Sequence, residues 1–224
     1  GGTVYGFLKS QGEKYQDAVG DGWKIIGFDE SNHLQVGEFS DTSGLRDAVE
    51  FHPALIINGQ NLVAGTGLND QQPRTAIGQK ADGSLVLYTI DGRQAGHSVG
   101  ATIQMVAQRL KELGCTNAIL LDGGGSTTMV STYPDYGSSS IINKPSDGTP
   151  RAVSNAVFLL SNLSPTNQPG SLYVTPKSLT LLPGATTQCT VSAMDTGWYP
   201  MDELPGEITW SSPEGAVSAS GLFT

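Results

Sequence analysis

The chain has 224 residues, of which 38% are hydrophobic and 15% are charged, and its formal net charge is −9. A negative surface repels nucleic acid and anionic membranes, so we exclude both as partners. No apolar run approaches the roughly 18 residues that a membrane span needs. Glycine contributes 29 residues, and this charge-poor composition favours strands and turns.

Taken in chain order, the first part of the sequence predicts many strands and one helix. Runs rich in Val, Ile, Leu or Tyr, bounded by Gly, Asn or Asp, predict strands. They are Trp23–Phe28, Leu34–Phe39, Ala54–Ile57, Arg74–Gln79, Ser84–Ile90, Ala118–Leu121, Thr127–Ser131 and Asn155–Leu160. The sequence Ala81-Asp82-Gly83-Ser84 predicts a hairpin turn between two of them.

The predicted helix runs from Val99 to Leu113, with apolar residues on one face. Ser98 is its expected N-cap, and Gly114 is expected just after its C-terminus. Many strands around one dominant amphipathic helix predict an α+β fold with a mixed β-sheet core.

A polar segment rich in proline predicts a linker at residues 163–170, between a first domain at 1–162 and a second at 171–224. The second domain has short strands at the spacing of a partial β-sandwich. It resembles the bacterial immunoglobulin-like modules of surface proteins, through Ile208-Thr209-Trp210-Ser211-Ser212 and the hairpin-like Gly215–Thr224. We therefore expect an incomplete module of this kind, and a protein that is secreted or displayed on a bacterial surface.

The most informative motif is Asp122-Gly123-Gly124-Gly125-Ser126, directly after an apolar strand. A fold keeps three glycines where the backbone needs positive φ or a close approach. Exposed N–H groups beside a carboxylate and a hydroxyl can cradle an anion or a sugar, although a tight turn between strands explains the glycines equally simply. A P-loop is excluded because no Lys follows, and a nucleophile elbow is excluded because Thr128 replaces its last glycine.

Two arginines each follow a proline and precede a strand-like run. They are Arg74, with Thr75 beside it, and Arg151. A guanidinium fork binds phosphate oxygens bidentately, whereas the simpler interpretation of an isolated Arg is a surface salt bridge.

Asp91 and His97 lie between a predicted strand and the predicted helix. Asp91 is a candidate second catalytic carboxylate, although Asp91-Gly92 also fits an ordinary turn. His97 is a candidate for binding substrate or for a structural role. Because His33 and His52 have no ligand-like spacing with Cys or acidic residues, the sequence predicts neither a metal nor a cofactor.

Taken together and in order, these motifs resemble the phosphodiester glycosidase family over about residues 1–160. The resemblance rests on Pro-Arg-Thr-Ala-Ile-Gly at 73–78, Asp-Gly-Arg at 91–93, Gly-His-Ser-x-Gly-Ala-Thr at 96–102, Leu-Asp-Gly-Gly-Gly-Ser-Thr-Thr at 121–128 and Pro-Arg-Ala-Val-Ser-Asn-Ala at 150–156. Gly1-Gly2-Thr3 also resembles the end of the family's N-terminal Asn-Gly-Gly segment, which makes Gly2 a candidate substrate contact.

The resemblance implies a hydrolase that cleaves a glycosyl-1-phosphodiester, such as one of N-acetylglucosamine, to free sugar and a phosphomonoester. Asp122 and Asp91 are then the candidate catalytic residues. The candidate substrate-binding residues are Arg74, Thr75, Arg151, Gly123, Gly124, Gly125, Ser126, His97 and Gly2. Two alternatives stay open: a non-catalytic carbohydrate-binding or adhesion module, and a serine hydrolase that uses Ser126 and His97.

Overall fold

The computed structural model describes residues 5–20, 23–66, 69–132 and 139–224. The chain divides into two compact units. The first comprises Gly1–Met129 and Ile141–Ala156, and the second comprises Val130–Ser140 and Val157–Thr224.

The first unit is built on two five-stranded sheets whose strand pairs are antiparallel. The strands of the first sheet are β1 (Leu8–Ser10), β2 (Glu13–Gln16), β3 (Lys24–Phe28), β4 (Leu34–Gly37) and β5 (Asp47–Phe51), in the order β2-β1-β5-β3-β4. Those of the second are β6 (Ala54–Ile57), β7 (Gln60–Asn61), β8 (Arg74–Lys80), β9 (Leu85–Ile90) and β10 (Cys115–Leu121), in the order β7-β6-β10-β8-β9.

The second sheet forms the middle layer of this unit. Alternate residues of a strand point to opposite faces, and β10 shows this directly. Ala118 and Leu120 are buried in a cluster with Val106 and Leu110 of helix α1 (Ile103–Glu112). Between them, Ile119 is buried with residues of the first sheet, including Ile26 and Leu34. The helix therefore covers one face of the second sheet, and the first sheet covers the other.

The expectation of an α+β fold with a mixed sheet is wrong. Strands make up 36% of the chain and helix only 6%, and the paired strands of the two large sheets run antiparallel. The sequence analysis missed the strands β1, β2 and β5. All four residues of β2, Glu-Lys-Tyr-Gln, are exposed, so this strand carries no apolar alternation by which it could be recognised.

The helix is shorter than predicted at its N-terminus. Thr102 is the N-cap, and its side chain accepts a hydrogen bond from Met105 N. Ser98, the expected cap, instead donates its hydroxyl to Asp91 O at 2.6 Å. Gly114 follows the C-cap Leu113, just after the helix C-terminus as expected, and has φ +89° in the left-handed region.

Other sequence-based expectations have mixed outcomes. The hairpin at residues 81–84 is confirmed, since Lys80 N donates to Ser84 O at 2.9 Å and β8 pairs with β9. Of the predicted strand Thr127–Ser131, only β11 (Val130–Ser131) forms, paired in a two-stranded sheet with β12 (Ser140–Ile141). The expected strand Asn155–Leu160 is exposed and irregular, so this prediction was wrong.

The second unit contains a three-stranded antiparallel sheet and a separate strand pair. The sheet consists of β13 (Pro169–Thr175), β15 (Thr190–Asp195) and β16 (Pro200–Met201), and the pair consists of β14 (Thr187–Gln188) and β17 (Leu222–Phe223). The segment Ile208-Thr209-Trp210-Ser211-Ser212 forms no strand. The immunoglobulin-like assignment of residues 171–224 and the linker at 163–170 stay predictions. Among the residues that the structure describes, no helix is long and apolar enough to cross a membrane.

Candidate active site

The antiparallel arrangement of the second sheet brings three separate motifs to one edge. Thr75 of β8 is paired with Leu121 of β10, and Arg74 is paired with Ile90 of β9. The start of β8 therefore lies beside the ends of β9 and β10. By this edge we mean the end of the sheet where β8 begins and where β9 and β10 end. Arg74 lies there, and the chain leaves the sheet there at Asp91, after β9, and at Asp122, after β10.

The segment after β10 forms the glycine loop, which we define as Asp122–Ser126. Gly124–Ser126 is a single 3-10 turn, and Gly124 N donates to Pro73 O at 2.9 Å, which ties the loop to the start of β8. Asp122 is exposed, and its Oδ1 accepts a hydrogen bond from the adjacent Gly123 N at 2.9 Å. The loop therefore presents this carboxylate to solvent at the sheet edge.

Close neighbours explain why the second and third positions of the loop, Gly123 and Gly124, are glycine. A Cβ on Gly123 would lie 2.8 Å from Pro73 O, a backbone atom that is not free to move away. Gly124 has φ +61°, and a Cβ there would lie 3.2 Å from Nη2 and 3.3 Å from Nη1 of Arg93. The absence of side chains allows both neighbours to approach the loop backbone.

Gly125 packs against an ion pair. A Cβ at this buried position would overlap Nη2 of Arg151 and the carboxylate of Asp147. Arg151 donates to Asp147 Oδ2 from Nε at 3.0 Å and from Nη2 at 2.7 Å. Both side chains are partly exposed, so the pair contributes little to stability. It places a guanidinium and a carboxylate beside the loop.

Arg74 is held by backbone oxygens. Its Nε donates to Ala101 O at 3.2 Å, and its Nη2 donates to Asp70 O at 2.7 Å. Burial lowers the pKa of the Arg74 guanidinium below its ordinary value. The carboxylate of Asp70 opposes this shift, and the positive charge of Arg93 adds to it. Only the Cα of Arg74 lies near Gly123, whereas Arg151 brings its guanidinium against Gly125. Their convergence on one anion stays a prediction.

The carboxylate of Asp91 accepts several hydrogen bonds near the segment that follows the glycine loop. Oδ2 lies 2.9 Å from His97 Nε2, and Oδ1 accepts from Asn143 Nδ2 at 3.0 Å. Lys144 N donates to the same carboxylate at 2.9 and 3.1 Å. Burial acts to raise the pKa of Asp91, but the hydrogen bonds from His97, Asn143 and Lys144 N outweigh it, so the pKa lies below the ordinary value of an aspartate.

Asn143 was missed by the sequence analysis, although it connects Asp91 to the chain just after the glycine loop. Besides its bond to Asp91, its Nδ2 donates to Thr127 O at 3.0 Å, and its Oδ1 accepts from Met129 N at 2.7 Å. A single Asn carries no motif, and its partner Asp91 lies 52 residues away in sequence. Local pattern therefore held no signal for this contact.

We expect Asp91→Ala to lower the free energy of unfolding by roughly 1–3 kcal/mol, because donors of Asn143 and Lys144 lose their acceptor. Since the pKa of Asp91 is depressed in the folded state, this contribution is present above the unfolded aspartate pKa of about 3.9 and is lost as the pH falls through the folded value. Urea unfolding of the wild type and the variant, at neutral pH and below about pH 4, measures this difference.

Asp82→Ala is the matched control, since Asp82 accepts from Ser84 N at 2.9 Å in an exposed turn. Equal losses from the two substitutions, or a loss from Asp91→Ala that does not shrink in acid, contradict the role of Asp91.

Among the remaining sequence-based candidates, Thr75, Ser126 and His97 lie at or near the same edge. Thr75 Oγ1 donates to Oγ1 of the buried Thr127 at 3.3 Å. Ser126 is half-buried in the 3-10 turn. The His97 ring is bonded to Asp91, and no hydrogen bond joins it to Ser126 among the described residues. Gly2 lies outside the described residues.

A cluster of three or more His, Cys, Asp or Glu side chains that could hold a metal ion is not found in the described ranges. The chemical groups at the edge are the exposed carboxylate of Asp122, the guanidinium groups of Arg93 and Arg151 beside the glycine loop, and Arg74 at the start of β8. The N–H groups of Gly123, Gly124 and Ser126 donate to acceptors within the protein. Together, the carboxylate and the guanidinium groups can bind an anionic ester and attack, or stabilise charge on, an adjacent carbon.

Comparison with known proteins adds independent evidence. The family model described as phosphodiester glycosidase matches residues 1–160. A prophage-derived uncharacterised protein of Bacillus subtilis, YomE, is 33% identical over 168 residues, which is 68% of this chain and 25% of that protein. The mouse N-acetylglucosamine-1-phosphodiester alpha-N-acetylglucosaminidase is 38% identical over 63 residues, 28% of this chain and 12% of the mouse protein. The chain thus spans a quarter or less of these relatives.

A solved structure also has a similar fold. The catalytic domain of zebrafish N-acetylglucosamine-1-phosphodiester alpha-N-acetylglucosaminidase, auto-inhibited by its pro-peptide, superposes with a TM-score of 0.52 at 23% identity. The match covers 64% of this chain and 51% of that one. Since the family model spans well over half of the residues, the chain belongs to the phosphodiester glycosidase family.

Proposed function

We propose that this protein hydrolyses a glycosyl-1-phosphodiester to free sugar and a phosphomonoester. The observation that carries the proposal is the glycine loop, which has the exposed Asp122 at its start and arginines against it, at one sheet edge. Membership of the family supports a hydrolase of this kind.

The groups at the edge suit this reaction. Hydrolysis breaks the bond between the anomeric carbon and the phosphate oxygen, water supplies the hydroxyl of the sugar, and the phosphomonoester leaves. A phosphate is already a good leaving group, so its departure needs neutralisation of charge more than protonation. Arg74 supplies positive charge at this edge, whereas the charge of Arg151 is neutralised by Asp147.

We assign the direct chemical role to Asp122. An exposed carboxylate beside the bound sugar acts as nucleophile, as general base, or as the stabiliser of an oxocarbenium-like transition state. Asp91 was the second candidate, but both of its oxygens are occupied by hydrogen bonds from His97, Asn143 and Lys144 N. We therefore assign Asp91 a structural role, in which it holds the segment of Asn143 and Lys144 in place.

The mouse relative is named for N-acetylglucosamine-1-phosphodiester, and we propose the same sugar as the first substrate to test. A secreted or surface location would expose the enzyme to phosphodiesters of teichoic acid, capsule or host glycans.

The test is incubation of the protein with N-acetylglucosamine alpha-1-(methyl phosphate), followed by proton and phosphorus NMR. We expect free N-acetylglucosamine and methyl phosphate. In isotope-labelled water the heavy oxygen should enter the sugar. Its entry into the phosphate would instead indicate a phosphodiesterase.

The same experiment separates the alternatives. A carbohydrate-binding or adhesion module would bind the ester and leave it intact. A serine hydrolase that uses Ser126 would be inactivated by a fluorophosphonate, whereas we expect no inhibition, because His97 is bonded to Asp91 and not to Ser126.

A further inference from the structure

Arg93 was not among the candidates drawn from the sequence, yet it lies against the middle of the glycine loop. Two nitrogens of its guanidinium are 3.2 and 3.3 Å from the position that a Cβ of Gly124 would occupy. Its Nε donates to Gln72 Oε1 at 2.6 Å, and the residue itself is exposed. The group is thus held by Gln72 and reachable by a ligand.

The backbone at this position is unusual. Arg93 has φ +57°, a left-handed conformation that costs free energy for a residue with a long side chain. Its neighbours maintain that conformation, since the following residue, Gln94, exchanges backbone contacts with Ser98. Strain of this kind concentrates at ligand-binding positions, where an unusual backbone aims a side chain.

Arg93 lies near Arg74, since its Nε donates to Gln72 Oε1, two residues before Arg74. Burial is the main cause that lowers the pKa of Arg74, the carboxylate of Asp70 opposes this shift, and the positive charge of Arg93 adds to it. Among the residues that the structure describes, no carboxylate lies within salt-bridge distance of either arginine. Arg151 differs, because Asp147 neutralises it through two hydrogen bonds. The two arginines without a salt-bridge partner among the described residues therefore lie on the Gly123–Gly124 side of the loop.

We propose that Arg93 and Arg74 together form the phosphate subsite, with Gln72 positioning Arg93 and with the Arg151–Asp147 pair outside it. The ligand class is the anionic phosphoryl group of a sugar phosphodiester, and in this the inference rests on the proposed function. Arg93 is thereby a substrate-binding residue, and the sequence-based pairing of Arg74 with Arg151 around one anion is replaced by the pairing of Arg74 with Arg93.

The test is calorimetric titration of inorganic phosphate into the folded wild type and four variants: Arg93→Gln, Arg93→Lys, Arg151→Gln and Arg109→Gln. We expect Arg93→Gln to weaken phosphate binding about 10- to 100-fold, the range for loss of charge-assisted hydrogen bonds. Arg93→Lys should restore part of the affinity, because it keeps the charge but not the fork. Arg109, which is paired with Glu112 on α1, is the matched control, and Arg109→Gln and Arg151→Gln should bind as the wild type does.

Several outcomes overturn the proposal: no measurable phosphate binding by the wild type, an unchanged affinity in Arg93→Gln, or a larger loss in Arg151→Gln than in Arg93→Gln. A purely structural role of Arg93 would leave Arg93→Lys as weak as Arg93→Gln in phosphate binding.

Because binding is measured without turnover, a wild type that binds phosphate through Arg93 but leaves the methyl phosphodiester intact contradicts only the proposed function. A wild type that hydrolyses the diester while Arg93→Gln binds phosphate normally contradicts only the subsite.

Discussion

Asp122→Asn should lower kcat by roughly 10²- to 10⁴-fold, the usual range for loss of a catalytic acid or base, while leaving the fold intact. Asp122 is exposed, and its carboxylate accepts a hydrogen bond from the N–H of the next residue, which an Asn side-chain oxygen can also accept. The stability of the variant should therefore equal that of the wild type. The measurement is the initial rate with the methyl phosphodiester, together with the thermal unfolding midpoint.

The control is Asp82→Asn, another exposed aspartate that accepts a backbone N–H, but at the opposite end of the β8–β9 hairpin. It should retain full activity. If Asp122→Asn is as active as this control, Asp122 is not the catalytic carboxylate, and Asp91 or Asp147 must be tested in its place.

Arg74→Lys is expected to reduce kcat/KM by roughly 10²- to 10³-fold, comparable with removal of one donor from an oxyanion-type site. A lysine ammonium is a point charge and does not reproduce the fork that contacts Ala101 O and Asp70 O. Steady-state kinetics with the phosphodiester measure the loss.

Arg109→Lys, on the exposed side of α1, serves as the control for a general effect of arginine replacement. A structural role of Arg74 predicts a lower unfolding midpoint with kinetics that recover at lower temperature. Phosphate binding predicts a loss at every temperature and a matching loss of affinity for inorganic phosphate. Normal kinetics in a folded Arg74→Lys variant would exclude Arg74 from the reaction.

Local pattern was sufficient for several parts of this molecule. The continuous apolar run Ala54–Ile57 predicted β6 with its bounds, because both faces of that strand are buried. Asp82-Gly83 predicted the β8–β9 turn through its backbone preferences, and Gly114 predicted the end of the helix for the same reason. The order of the motifs also identified the family over residues 1–160. These features depend on residues a few positions apart, or on motif order.

Tertiary structure decided the rest. The antiparallel placement of β10 between β6 and β8 puts Asp122, Arg74 and Asp91 at one edge, and no local periodicity encodes which strands pair. The same holds for Asn143 on Asp91, a contact across 52 positions, and for the Asp147–Arg151 pair against Gly125.

Arg93 is the clearest example of a residue whose role depends on tertiary structure and not on local sequence pattern. The sequence contains the motif Asp91-Gly92-Arg93, in which the first two residues already fit an ordinary turn. Only the folded backbone, with a positive φ at Arg93 and a glycine opposite it at 124, places the guanidinium on the loop. A sequence thus determines its residue types, turn preferences and apolar periodicity by itself, because these act over short range. The meeting of charged groups from distant segments is decided by which strands pair, since packing of the whole core selects that pairing.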